Sequence, residues 1–353
     1  MKAKSPPRSP YPRMHTLRYM GSKLALVDII APIVHEYAAG RGVVDLMAGT
    51  HAIGYALKPH ARVWANDVQH YSQVIGQALL GPCKLAPGQL VHQLAREYLA
   101  RQRKGFFEEV YSNTYFSPEQ CRDIDAIRTA IMALDPPVQP LCLTALMAAM
   151  SYCQSTPGHF AQFLPREHRR VQALRRLRLL DVFRHKIEEL EEGLVEGKGE
   201  NTISGVAAEE FSIPQAAGVG YLDPPYTGDQ YSRFYHLLET VVLNDSPAVK
   251  HKARYRQDRF RSNFCYPSRV EEAFLRILSV WAKADLPLVI SYSVRGLLPL
   301  DRLHSLARSH YHRVRQRNID RRHSSMGKGE KPVREVVIIA SQSRLQSRLN
   351  TNR

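Results

Sequence analysis

The residues with the plainest chemistry in this sequence lie at 223–226, where the apolar run Gly220-Tyr221-Leu222 delivers Asp223-Pro224-Pro225-Tyr226. Two consecutive prolines stiffen a loop, because each ring fixes φ, and they carry carbonyl acceptors with no N–H of their own. A carboxylate and a carbonyl held together can accept both hydrogens of an amino group, while a nearby aromatic ring stacks on a planar base. Such a corner would fix an exocyclic amine and keep its nitrogen lone pair aimed at an electrophile. The plainer alternative is an ordinary strand-to-loop turn. A second Asp-Pro-Pro, at Asp135-Pro136-Pro137, runs on into Val138 rather than an aromatic and follows the helical stretch IDAIRTAIMAL, so it reads as a helix end.

The elements that must position this corner follow from periodicity. Leu24, Val27, Ile30, Val34 and Tyr37 recur at helical spacing and stop at Gly40. GVVDLM (42–47) reads as a buried strand, and AGTHAIG as a small-residue turn into a short helix that Pro59 ends. ARVWAND (61–67) is a second strand and VQHYSQVIGQALL (68–80) a second helix. Strand, helix, strand, helix in close succession begins a parallel α/β sheet, and such sheets bind ligands beyond the carboxyl ends of their strands. Strand signals return at GVGYL (218–222), PLVISYS (287–293) and REVVIIA (334–340), with a helix near 267–284. The stretch between differs. It is helical in period, and Ser117-Pro118-Glu119-Gln120 marks a helix start in which Ser caps, Pro takes the first turn and Gln closes a capping box. The expected fold is α/β, a Rossmann-like sheet with a mainly helical insertion. Residues 15–80 and 201–343 would form the catalytic domain and 81–200 the insertion, with flexible basic tails at 1–14 and 344–353.

Composition narrows the partners. The 353 residues carry 49 Lys plus Arg against 33 Asp plus Glu, a formal net charge of +16, which favours a polyanion. Apolar residues at 44% and charged residues at 23% are ordinary for a globular chain and exclude a fibrous or wholly disordered one. Five scattered cysteines (Cys83, Cys121, Cys142, Cys153, Cys265) form no CxxC pair, and no His cluster completes a zinc set, so reduced thiols and no metal are expected. The apolar stretch Leu141 to Met150 is far short of the roughly 20 residues of a membrane span. The N-terminus has prolines where a signal peptide needs an apolar core, so a cytoplasmic protein without a membrane partner is expected. Candidate phosphate contacts are Arg166, Arg169, Arg170, Arg175, Arg176 and Arg178, together with 251–264, where Arg254 and Arg256 alternate with Tyr255 and Phe260. A charge run is equally a solvated face. Tyr231, Arg233, Phe234 and Tyr235 could line a base pocket, or Phe234 and Leu237 could simply begin a core-facing helix.

Three motifs stand in order along the chain: Arg18-Tyr19-Met20-Gly21-Ser22-Lys23, Asp45-Leu46-Met47-Ala48-Gly49-Thr50-His51 and Asp223-Pro224-Pro225-Tyr226. Together they resemble the DNA adenine methyltransferases of the Dam-like, alpha-class arrangement, and Arg334-Glu335-Val-Val-Ile resembles that family's closing strand. The second motif departs from the usual Asp-x-Phe-x-Gly-x-Gly, with Met47 for the aromatic and His51 for the second glycine. The resemblance spans roughly 15–80 and 200–340 and leaves the insertion largely uncovered.

The resemblance implies S-adenosylmethionine as cofactor, held by Tyr19, Gly21, Lys23, Asp45, Met47, Gly49, His51 and Asp67, with Lys23 meeting the methionine carboxylate. It implies catalysis by Asp223, Pro224, Pro225 and Tyr226 without a covalent enzyme intermediate. The substrate would be double-stranded DNA, whose adenine is flipped out and methylated at N6. The insertion becomes the expected target-recognition domain, and a cognate nuclease of a restriction or phage-defence system a further partner. Local features agree: Gly49 stands where a backbone must pass close to a ligand. Asp67, 18 residues on, is near the roughly 20-residue spacing at which an acid reaches ribose hydroxyls, and could equally cap the next helix. Three other readings stay open: methylation of cytosine N4, of an amine in RNA or protein, and a DNA-binding module whose cofactor site has decayed at His51.

Overall fold

Short apolar runs, buried along their whole length, become the strands that hold the centre: β1 (Gly42–Asp45), β2 (Val63–Asn66), β4 (Ala217–Leu222) and β7 (Leu288–Ser293). Continuous burial is what a parallel sheet covered on both faces requires. The computed structural model describes residues 9–82, 88–100, 104–324 and 330–342. With β3 (Thr202–Ser204), β8 (Arg313–Ser324) and β9 (Glu330–Ser341), these strands form a seven-stranded sheet in the order β3-β2-β1-β4-β7-β9-β8. The first five are parallel, and β9 lies antiparallel between β7 and β8. A separate two-stranded ribbon joins β5 (Val249–Lys250) to β6 (Tyr255–Arg256).

The chain runs outward from β1 through β2 to β3 and then returns to the other side of β1 as β4. That reversal opens a crevice beyond the carboxyl ends of β1 and β4. Asp45 pairs in register with Tyr221, so Asp223 emerges just past the same edge. The strands alternate between two cores, as a period of two demands. Val43, Val219, Val289 and Val337 pack with α1 (Val27–Ala38), whereas Val44, Leu288, Ile290 and Ile338 pack under α12 (Val270–Lys283) and α13 (Leu300–His310). Helices α2 (Ala52–Leu57) and α3 (His70–Leu80) follow β1 and β2 as read from the sequence.

The insertion is helical: α4 (Gly88–Ala100), α5 (Phe106–Tyr111), α6 (Pro118–Met132), α7 (Gln139–Cys153), α8 (Arg169–Arg175) and α9 (Leu179–Gly193). It does not stand apart from the sheet. Ile124, Leu146 and Phe183 are buried in the same core as α1 and Val43, and α7 packs on α3 and on α11 (His236–Leu243). The second Asp-Pro-Pro is a single 3-10 turn, Pro136–Val138, between α6 and α7, in keeping with a helix end. Part of the stretch expected as an N-terminal tail, from Ser9, is among the described residues. From Ser9 onward the chain is fastened to α1, with Ser9 and Arg13 both on Asp28 and the Tyr11 hydroxyl 3.1 Å from His35 Nδ1. The rest of that tail, the tail expected at 344–353, and Cys83 lie outside the described residues; the other four cysteines are buried and free. No helix among the described residues is long and apolar enough to cross a membrane.

The capping box at α6 forms in full: Ser117 Oγ accepts the Gln120 N–H at 3.2 Å, and Gln120 Oε1 accepts the Ser117 N–H at 3.1 Å. Gln120 Nε2 then donates to the carbonyls of Leu174 and Leu177, tying α6 to the junction of α8 and α9. Ser117→Ala is expected to destabilise the protein by about 1 kcal/mol, read as a lower denaturant midpoint at unchanged slope. An unmoved midpoint would mean that the Gln120 bonds hold the junction alone.

Candidate active site

Four segments converge on the crevice. Asp45 ends β1, Asp67 follows β2, Asp223 follows β4, and Tyr19–Lys23 crosses in front of them before α1. They enclose a cavity of about 840 Å³, counted to its open mouth, whose lining includes Tyr19, Gly21, Lys23, Asp45, Met47, Gly49, Asp67 and the whole 223–226 corner. Every residue predicted for catalysis or cofactor binding therefore reaches one cavity, except His51.

His51 takes a left-handed backbone (φ 61°), a conformation that glycine adopts freely and other residues at some cost. Its ring turns away from the cavity into the contact between α2 and α3. There Nε2 lies 2.7 Å from the Ser72 carbonyl, and Cε1 would sit 2.5 Å from a Cβ added at Gly76. Burial pushes its pKa down to about 4, so the ring is neutral at pH 7. The ring thus lies outside the cavity lined by the other residues expected to hold the cofactor.

Gly49 (φ 54°) makes the turn after β1, and a Cβ there would meet the Tyr19 ring at 3.2 Å. Asp67 buckles that turn. Its Oδ2 accepts the Gly49 N–H at 2.9 Å and its Oδ1 the Gln69 N–H at 2.9 Å, while burial pushes its pKa up to about 6 against those bonds. The start of α3 is capped instead by Glu239, which accepts from the N–H groups of His70 and Tyr71 at 3.1 Å each.

Lys23 is no solvated helix-start lysine. It is 4% exposed, with Nζ 2.9 Å from Asp223 Oδ2, 2.7 Å from the Gly21 carbonyl, 3.9 Å from Glu335 Oε2 and 5.0 Å from the Tyr226 ring centre. The other Asp223 oxygen accepts the Tyr226 hydroxyl at 2.7 Å. Tyr226 itself is pinned edge-on against Tyr292 (5.4 Å, 80°), and its carbonyl accepts the Leu297 N–H at 2.9 Å. Burial raises the Asp223 pKa, with Lys23 and the Tyr226 hydroxyl opposing. Asp45 is pushed up to about 8, chiefly by burial and then by the nearby Asp223 charge. Its buried Oδ1 has no hydrogen-bond partner among the described residues.

Glu335 escaped the site reading because it lies within a strand whose letters speak only for burial. Its position emerges from register, opposite Ser293 at the end of β7. The lining also includes Met20, Tyr221, Gln230, Tyr231 and Phe260. The 231–235 cluster divides between cavity and core. Tyr231 lines the cavity and donates to the Met20 carbonyl at 3.1 Å, while Phe234 and Leu237 are buried in the core. Tyr235 accepts the Met20 N–H at 2.7 Å and stacks on Tyr19 (4.4 Å, 15°), and the Tyr19 and Tyr71 hydroxyls meet at 3.0 Å. These tyrosines strap segment 19–21 over the cavity.

The basic candidates divide. Arg256 is 3% exposed and clamped by Asp245 (2.7 and 2.6 Å) and Asp258 (3.1 and 2.9 Å). Arg175 donates to Ser155 Oγ and to the carbonyls of Asn113 and Thr114, and Arg178 pairs with Asp123. Arg256 and Arg175 are thus engaged within the fold. Of the 166–180 run, Arg169, Arg170 and Arg175 lie on α8, Arg166 precedes it, and Arg176 and Arg178 lie between α8 and α9. Arg166, Arg169 and Arg176 are exposed; Arg170 and Arg254 are partly so.

The sequence model of the family described as D12 class N6 adenine-specific DNA methyltransferase matches residues 19–286. Type II methyltransferase M.FokI of Planomicrobium okeanokoites is 26% identical over 323 residues, 83% of this chain and 47% of that protein. Modification methylase LlaI of Lactococcus lactis subsp. lactis is 26% identical over 315 residues, 83% of this chain and 48% of that protein. Type II methyltransferase M.NlaIII of Neisseria lactamica is 27% identical over 311 residues, 82% of this chain and 87% of that protein. The chain thus spans about half the length of the first two relatives and most of the third.

Lys23→Met would leave the carboxylates of Asp223 and Glu335 without that cation. Breaking a buried pair in this way is expected to destabilise on the order of 3 kcal/mol near neutrality. A carboxyl whose folded pKa lies above its unfolded value loses stability as pH rises, so the deficit should shrink as pH falls and Asp223 takes a proton. Thermal unfolding of both proteins across pH checks this, and a deficit independent of pH would reduce Lys23 to packing.

Proposed function

The chain belongs to the D12 class of N6 adenine-specific DNA methyltransferases, and from that premise we propose that it transfers a methyl group from S-adenosylmethionine to the exocyclic N6 amine of an adenine drawn out of double-stranded DNA at a specific site. The observation that carries the reading is one cavity shared by the Asp223–Tyr226 corner and the Gly49–Asp67 turn. The residues there suit the cofactor. The unpartnered, buried Asp45 Oδ1 is an acceptor for its ammonium, and Asp67 with the Gly49 turn stands where ribose hydroxyls would be met. Lys23 has three N–H donors; two go to Asp223 and the Gly21 carbonyl, leaving one for the methionine carboxylate.

When bound, the cofactor supplies an electrophilic methyl on a sulfonium leaving group, so direct displacement by the amine suffices. Lys23 opposes the upward push of burial on the Asp223 pKa and so favours the carboxylate form, which accepts an amine N–H. A carbonyl of the proline loop takes the second N–H, which leaves the nitrogen lone pair for the methyl. Tyr226, locked by Tyr292 and by its hydroxyl on Asp223, offers a ring of fixed orientation for the base to stack on. Drawing a base from the duplex costs a few kcal/mol, and phosphate contacts at Arg166, Arg169, Arg170 and Arg254 would offset that by releasing counterions. The insertion over 81–200 would supply target recognition. The setting we propose is a cytoplasmic restriction-modification or phage-defence system with a cognate nuclease. Because His51 faces away from the cavity, it offers no ground for a decayed cofactor site.

Expression in a methylation-free host followed by long-read mapping is expected to show modified adenines in one sequence motif. Asp223→Ala should abolish them. Modified cytosines would transfer the reading to N4 chemistry. A second outcome follows from Asp45, which holds its proton up to about pH 8. A cation arriving beside it lowers that pKa and expels the proton, so cofactor affinity should rise with pH below about 7.5, short of the range where an α-amine itself titrates. Calorimetry in buffers of different ionisation enthalpy reads the released proton, and a flat profile would place the ammonium elsewhere.

A further inference from the structure

Two large apolar side chains lie in water at the rim of the cavity they help to line: Met20 is 44% exposed and Phe260 is 37% exposed. A single exposed apolar residue is unremarkable. These two come from distant segments, and both backbones are fixed by side chains of 230–235, immediately after the Asp223–Tyr226 corner. Met20 is held by the hydroxyls of Tyr235 and Tyr231. Around Phe260, Gln230 accepts the Ser262 N–H at 2.8 Å and donates to the Ser262 carbonyl at 3.2 Å, while Ser232 Oγ donates to the Phe260 carbonyl at 2.6 Å. The ring is thus carried on a braced loop. Its neighbours are basic: the Arg259 guanidinium lies over the Tyr255 ring at 4.9 Å, and Arg261 is exposed. An aromatic ring between cations at a cavity mouth suits a nucleobase with phosphates on either side, since stacking needs no base-specific hydrogen bonds.

We propose that Met20 and Phe260 form an apolar lip that contacts the nucleobase as it leaves the duplex, Phe260 by stacking, which makes them positioning residues for base extrusion rather than parts of the methyl transfer. The proposal rests on the adenine-methylation reading above. Phe260→Ala should lower kcat/KM on a matched duplex by about 10- to 100-fold, the range that loss of one stacked base brings. On a duplex whose target adenine is mispaired, and so already loosened, its activity should return to within a few-fold of the unaltered protein. Phe260→Leu should fall between the two on matched DNA, and cofactor affinity and thermal midpoint should not move. With 2-aminopurine at the target, the fluorescence rise produced by the unaltered protein should be lost in Phe260→Ala. Equal losses on matched and mispaired DNA would place Phe260 after extrusion and overturn the proposal, as would no loss on either. If the unaltered protein methylates no adenine in any DNA, the reading beneath the proposal fails instead.

Discussion

The site depends on one buried ammonium set among carboxylates. Lys23 lies between Asp223 and Glu335, with Asp45 close enough to Asp223 for their charges to oppose each other. Removed from water without a cation, such carboxylates would take up protons, because desolvation penalises the charged form. A protonated Asp223 would accept from an amine more weakly than the carboxylate on which the proposed reaction relies. The pair is therefore better understood as a device for keeping a carboxylate ionised in a dry place than as a contribution to stability, for which buried ion pairs are weak evidence.

The fold's part is to deliver that cation. Asp45 and Asp223 come together because β1 and β4 are neighbours at the reversal of strand order, in a register that brings both acids to the same edge. Lys23 arrives on a segment that belongs to no strand. It is held by Tyr231 and Tyr235, which follow the Asp223–Tyr226 corner itself, and the Tyr19 ring that fixes the strap would be crowded by a Cβ at Gly49. Corner, strap and turn are consequently coupled: a change in one moves the walls of the others.

Much of this was legible in the sequence, for physical reasons. The strand and helix periods gave the sheet, Ser117 through Gln120 gave a helix start that forms in full, and the contrast between Asp223 and Asp135 turned on one aromatic. What escaped was what depends on orientation. His51 occupies a motif position, yet its left-handed backbone swings the ring into the α2–α3 contact. Glu335 looks like strand filler until register sets it opposite the end of β7. The letters of 251–264 do not separate an arginine that neutralises Asp245 and Asp258 from one that waits for a phosphate, since that depends on how the 245–258 segment folds back on itself.

The division of the arginines bears on what the excess of positive charge can do. A net charge of +16 attracts DNA without selecting where it docks. Arg256, Arg175 and Arg178 are engaged by groups of the fold, and phosphate contacts by other arginines would fix position without reading sequence. Under the proposed function, discrimination among bases would then arise where apolar and hydrogen-bonding groups reach base edges. The insertion proposed for that role shares the core of the sheet. An element packed into that core cannot shift independently of it, so under the proposed reading binding at the recognition site and positioning at Asp223 would be parts of a single fit.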